Sequence, residues 1–187
     1  MLATPAAPTL ETPRLVLRGW RSGDFEAHAA MLADDSTARF ITIRGRALSE
    51  AESWNETLWL VGHWQMLGYG MFVVEDRSTG AFVGRVGALR PPRWPAFEIG
   101  WSLAPSARGK GYATEAAAAA IGWSFASFPL DRIVSIIDPR NAASRKVAER
   151  LGERLTEERF SPFAHPCDVW EIRREDWQPA AVGEPSP

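Results

Sequence analysis

The segment SARGKGYATEA, from Ser106 to Ala116, alternates Arg108, Gly109, Lys110 and Gly111 and runs straight into an alanine-rich stretch. The chemistry this suits is anion binding. The first turn of a helix carries backbone N–H groups with no intrahelical acceptor, and the aligned peptide dipoles add partial positive charge there. Gly109 and Gly111 supply the dihedrals and the bare backbone that let an anion approach those groups. Arg108 and Lys110 add cationic donors to phosphate oxygens. A phosphate or diphosphate cradle is the reading. The turn departs from the dinucleotide fingerprint, because Thr114 stands three places after Gly111, and from the Walker pattern, because Tyr112 follows the Lys110–Gly111 pair. Taken alone, it fits equally a plain strand-to-helix connection with two solvated cations.

Other reactive side chains lack a catalytic spacing. The single cysteine, Cys167, excludes an intramolecular disulfide, and His165 beside it does not make a nucleophile–base pair by adjacency alone. His28, His63 and His165 are scattered without metal-ligand spacing, so no metal is expected. Asn141 and Ser144 read locally as a helix N-cap and a first-turn hydroxyl.

The elements that must position the turn follow from periodicity. Residues 14–20 (RLVLRGW) alternate as a strand. Ser22 or Asp24 caps a helix to about Ala33. Ser49 with Glu52 is a capping-box pattern opening a second helix, with Ala51, Trp54, Leu58 and Val61 on one face, ended by Gly68 and Gly70. Met71–Glu75 and Phe82–Leu89 are strands joined through DRSTG. Phe97–Leu103 is a strand with Phe97, Ile99, Trp101 and Leu103 on one face and Glu98, Gly100 and Ser102 on the other. A helix is expected from Tyr112 to about Ala126, its run Ala116–Ala120 suited to close packing on a sheet. A β-branched strand (Arg132–Ile137), a helix (Asn141–Leu151, stopped by Gly152) and two strands (Leu155–Phe160, Cys167–Arg173) complete the order. This order predicts an α+β or α/β sandwich with helices on both faces of one mixed sheet. The tryptophans at 54, 59 and 64 fall on more than one helical face, part core and part open to an acceptor pocket or a dimer contact.

At 187 residues, 45% hydrophobic and 24% charged, the chain suits one domain with a sizeable core. Residues 1–177 are read as that domain, with 1–13 a loose lead-in and 178–187 a disordered tail. A net charge of −2 excludes a global basic field, so nucleic acid is not an expected partner. With no signal-peptide pattern at the N-terminus and no membrane-length apolar run, a cytoplasmic protein without a membrane partner is expected.

The stretch EIGWSLAPSARGKGYATEA (Glu98–Ala116) resembles the acetyl-coenzyme-A motif of the GNAT N-acetyltransferases, in particular the branch that includes the ribosomal-protein N-terminal acetyltransferases. NAASRKVAERLG (Asn141–Gly152) is similar to that branch's Asn-x-x-Ser helix, and TPRLVLRGW and DVWEIRREDW to its first and last strands. The resemblance covers roughly Thr12 to Trp177. One departure is Ser106, where the wider motif often has Gln or Arg.

The resemblance implies a mostly antiparallel sheet of about seven strands, splayed between the fourth and fifth. It implies acetyl-CoA as co-substrate, its diphosphate on Arg108, Gly109, Lys110, Gly111, Tyr112 and Ala113. The pantetheine arm would lie beside Trp101, Ser102 and Leu103, with Asn141 and Ser144 approaching the pantetheine and sulfur. Transfer of acetyl to a primary amine needs a neutral amine, an oriented carbonyl, oxyanion donors and a proton for the thiolate. Glu98 is the candidate base, directly or through water, and otherwise a solvated strand carboxylate. Ser144 is the candidate proton donor, the oxyanion donor being a backbone N–H near Ser102 or Leu103. An α-amine, with a reference pKa of about 7.7–8.0, asks less of a base than lysine at about 10.4. The acceptor, a protein N-terminus or a small-molecule amine, enters over residues 39–70 and 161–168, which carry Arg39, Arg44 and Arg46. Family members often dimerise, which leaves a homodimer open. The rival readings are a non-catalytic acyl-CoA sensor or sequestering protein on the same fold, and a nucleotide-phosphate binder.

Overall fold

The protein is described by a computed structural model that covers residues 7–42, 44–162 and 166–178. The expected tail beyond residue 178, the start of the lead-in and His165 lie outside these residues.

The strands are β1 (Leu10–Glu11), β2 (Leu15–Arg18), β3 (Met71–Asp76), β4 (Phe82–Leu89), β5 (Glu98–Leu103), β6 (Arg132–Ile137), β7 (Arg154–Phe160) and β8 (Cys167–Arg173). The helices are α1 (Phe25–Leu32), α2 (Asp35–Ile41), α3 (Glu50–Leu67), α4 (Tyr112–Ser127) and α5 (Ala142–Arg150). One sheet of eight strands runs in the order β1-β2-β3-β4-β5-β6-β8-β7. All its pairings are antiparallel except β5 with β6, which is parallel. That parallel pair touches in register only at Glu98 and Val134, and beyond this point the two strands part. The expected splay is therefore present, between the strands the sequence counted as fourth and fifth. The eighth strand is β1, in the stretch expected to be a loose lead-in: Leu10 and Glu11 pair with Leu17 and Val16.

Helices cover both faces. On one, the fully buried Ala116, Ala117, Ala120 and Ile121 of α4 pack on Leu15, Leu17, Phe72, Val86 and Ile99, with Val147 and Leu151 of the α5 segment completing the core. The alanine run permits this close approach, because a methyl group leaves little between helix axis and sheet. On the other face lie α1–α3, shown by the ion pairs Arg18–Asp24 and Arg85–Glu56 from outward sides of β2 and β4. Among the described residues no helix is long and apolar enough to cross a membrane.

Two expectations need correction. A helix not read from the sequence, α2, forms after Asp34, whose carboxylate caps it by accepting from the Thr37 amide at 2.8 Å. In α3 the capping box of Ser49 and Glu52 forms and Gly68 ends the helix in the left-handed conformation (φ 71°). Its supposed core stripe nevertheless faces outward: Trp54 and Leu58 are each 49% exposed. The buried face is Ser53, Thr57, Leu60, His63 and Trp64. The reason is that α3 packs on α1 through a buried polar contact between His28 and Thr57. The Thr57 hydroxyl donates to the Ser53 carbonyl at 2.8 Å, and His28 Nδ1 lies 2.8 Å from the same hydroxyl. Burial holds His28 neutral, its pKa pushed down to about 2.

Candidate active site

The turn between β5 and α4 is open toward its ligand side. Gly109 and Gly111 sit at φ 76° and 79°, left-handed values that other residues reach at a cost. The first α4 amide with a helical acceptor is that of Glu115, bonded to the Gly111 carbonyl at 3.2 Å. Among the described residues no oxygen accepts from the amides of Gly109, Lys110, Gly111, Tyr112 or Ala113. The turn is braced from outside. Arg14 donates from Nη1 to the Lys110 carbonyl at 2.8 Å and from Nε to Glu115 at 2.6 Å, and the Thr12 hydroxyl adds a bond of 2.6 Å to Glu115. Neither Arg14 nor Glu115 was singled out from the sequence.

Two of the turn's side chains look elsewhere. The Arg108 guanidinium donates to Ser36 Oγ at 2.8 Å, to Thr37 Oγ1 and to Asp34, so it ties the turn to the start of α2. The Tyr112 hydroxyl donates to Asp76 at 2.8 Å. The cavity over the turn, about 590 Å³, is also lined by Arg39, Lys146 and Arg150. The latter two lie on the Asn-x-x-Ser helix but were not read as site residues, and they reach the site because α5 packs beside α4.

Glu98 lies in a second cavity of about 390 Å³ where β5 and β6 part. It is 8% exposed. Burial pushes its carboxyl up to about 7, while the Trp94 indole, which donates to Oε2, and the Ile136 amide pull the other way. A carboxyl at that value is half ionised near neutrality, which suits a general base. Beside it Gly100 pairs with Gly87 of β4, and the Met71 side chain lies over Gly100, its Cε 3.2 Å from where a Cβ would stand.

The two cavities share a wall: Phe40, Ile41, Trp101, Ser102, Asn141 and Ser144 line both. Asn141 caps α5 by accepting from the Ser144 amide at 3.1 Å, the local role read from the sequence. Ser144 Oγ in turn accepts from Trp101 Nε1 at 3.3 Å. Leu103 lines only the cavity over the turn. Lys110 lines neither cavity; the other candidate residues are brought together, with Glu98 on one side of the Trp101–Ser144 wall and the glycine turn on the other.

Other candidates are placed away from this chemistry. Cys167 is buried, and that burial pushes its thiol up to about 11, so it stays protonated at neutral pH. Arg44 and Arg46 both pair with Glu52 at the start of α3. Of the three tryptophans, Trp64 is core, Trp59 lines the Glu98 cavity and Trp54 lies on the exposed face of α3.

Residues 14–154 match the family model of the acetyltransferase (GNAT) domain. The chain belongs to the GNAT acetyltransferase family. By that membership it is an acyltransferase enzyme. It is 30% identical to an acetyltransferase from Agrobacterium tumefaciens str. C58, over 91% of this chain and 96% of that one, with a TM-score of 0.80. It is 25% identical to the ribosomal-protein-S5-alanine acetyltransferase from Vibrio fischeri, over 92% of this chain and all of that one (100%), with a TM-score of 0.66. It is also 37% identical over 89 residues to YkkB of Bacillus subtilis (strain 168), spanning 46% of this chain and about half (52%) of that protein.

Proposed function

We propose that this GNAT protein transfers acetyl from acetyl-CoA directly to a primary amine. The observation that carries the reading is the run of unpaired amides from Gly109 to Ala113, joined through the Trp101–Ser144 wall to the cavity of Glu98. Orphan N–H groups at a helix start fit a diphosphate, and Lys110, Lys146 and Arg150 supply positive charge around it. The parted strands leave β5 backbone at Trp101–Leu103 able to pair with an extended arm, as a sheet edge does. The co-substrate would supply the activated acetyl group.

The chain's own residues would do the rest. Glu98, ionised, accepts a proton from the acceptor ammonium or from a water beside it. The neutral nitrogen forms a bond to the acetyl carbon, the carbon–sulfur bond breaks, and the proton that nitrogen then sheds balances the one the leaving thiolate takes up through Ser144. Ser144 would donate its hydroxyl proton to the departing thiolate, its oxygen already accepting from Trp101 Nε1. A protein N-terminus and a small-molecule amine both remain within this chemistry.

Calorimetry with acetyl-CoA tests binding, and no heat at millimolar ligand would end the reading. Thioester consumption over an amine panel then separates an enzyme from a sensor that binds without turnover. Glu98→Gln should bind acetyl-CoA as well as the parent while losing turnover.

A further inference from the structure

One buried cation in the Glu98 cavity has no part in this chemistry. Across β4 and β5 the paired residues are Leu89 with Glu98, Gly87 with Gly100, and Arg85 with Ser102. Residues paired this way share a face, as do alternate residues of one strand. Glu98 and Arg85 therefore stand on either side of the Gly87–Gly100 row, which the Met71 side chain overlies, and all three side chains line the cavity. Four residues of strand separate their rows, roughly 13 Å between backbones, from which two long side chains subtract.

Arg85 is 3% exposed. Among the described residues its guanidinium makes one hydrogen bond, from Nη1 to Glu56 Oε1 at 3.0 Å, and its Nε has no partner. A guanidinium has five N–H donors in a planar fork. Burying a guanidinium whose Nε is left unmatched is costly, and an apolar residue of equal volume would serve packing better. Glu56, on α3, is itself partly open to the cavity (26% side-chain exposure), so the pair forms a polar end wall rather than a closed core bridge. The side walls between the two ends are apolar and aromatic: Phe40, Trp59, Leu89 and Trp94.

We infer that the acceptor is an amine that also carries a carboxylate, with an apolar or aromatic body between them, of amino-acid to dipeptide size. Its carboxylate accepts from Arg85 while its amine meets Glu98, the body lying over the Met71 side chain. This rests on the proposed reading that the Glu98 cavity takes the acceptor. A charge-assisted bond from a buried guanidinium to a carboxylate is stronger than a neutral one, and a site built this way discriminates strongly against a ligand lacking the group.

The test is a matched set of amines assayed with the full-length protein and acetyl-CoA. The set is phenylalanylglycine, its C-terminal amide, phenethylamine, and a ten-residue peptide beginning Phe-Asp with an amidated C-terminus. Free phenylalanylglycine should exceed its amide by about tenfold or more in kcat/KM, carried mostly by KM. In Arg85→Gln the ratio of acid to amide should fall to about one. Arg85→Lys, which keeps the charge but loses the fork, should fall between, and it serves if the glutamine variant fails to fold. The peptide arm distinguishes a free small molecule from an acidic side chain near a protein N-terminus: a peptide preferred over the free dipeptide overturns the size class. Equal use of acid and amide by the parent, or a preference that survives Arg85→Gln, overturns the carboxylate. Turnover of the neutral amines with no advantage for the acids sinks this inference alone. Thioester consumption with none of the amines overturns it together with the proposed function.

Discussion

Ser135 of β6 stands between two oxygens: its Oγ lies 2.8 Å from the Ile99 carbonyl of β5 and 2.9 Å from Glu153 Oε1. A hydroxyl has one proton, and a carbonyl can only accept. With that proton given to Ile99, the contact to Glu153 requires the carboxyl to be the donor, hence protonated. The hydroxyl thus links the strands just where backbone pairing stops, and a neutral carboxylic acid backs it from behind.

Burial pushes the Glu153 carboxyl from 4.5 up to about 8, with the Glu98 charge adding to the effect. The folded protein therefore holds this proton more tightly than the unfolded chain. Stability from this group is complete below about pH 4.5 and is lost as pH rises through about 8. Glu153→Gln keeps a donor for Ser135 and removes the titration. Urea midpoints at pH 6 and pH 9 should fall clearly for the parent and much less for the variant.

Glu98 sets a second pH dependence. As a base it acts ionised, so kcat/KM should rise with pH through about 7. Glu98→Gln should lower turnover by roughly 10²–10⁴-fold and flatten that limb. The Trp94 indole favours the ionised form, so Trp94→Phe should move the limb to higher pH without abolishing it. A pH–rate profile of the three proteins checks both.

Gly111 holds φ 79°, and a Cβ there would lie 3.3 Å from Arg14 Nη2, a flexible side-chain end. The strain of Gly111→Ala is therefore mainly backbone, about 1–2 kcal/mol. Loss of the turn's geometry should also weaken acetyl-CoA binding. Thermal unfolding and calorimetry report the two effects separately.

The outward stripe of α3 can be tested against its inward one. Leu58→Gln should change unfolding free energy by less than about 0.5 kcal/mol, as at other exposed positions. Leu60→Ala, at a position with 0% exposure, should cost about 2–5 kcal/mol. Chemical denaturation of both variants decides which face is core.

Local signals determined a good deal here. The alternation in β2 and β5, the capping box at Ser49 and the Asn141 cap are short-range preferences that the chain carries with it, and each formed as read. The glycine turn was legible for the same reason, since left-handed backbone and a helix start are local properties. What only the tertiary structure decided depends on which groups meet across the sheet. Trp54 and Leu58 look like core by periodicity, yet they face outward because α3 turns Thr57 inward to meet His28 of α1. Glu98 is a carboxylate like any other in sequence; burial beside Trp94 at the parting of β5 and β6 raises it toward neutrality. Glu153 and Arg85 carry no motif at all, and no local signal joins Arg14 to Glu115. Each gains its role from a partner far along the chain, and desolvation, which makes such pairings matter, is a property of the folded interior alone.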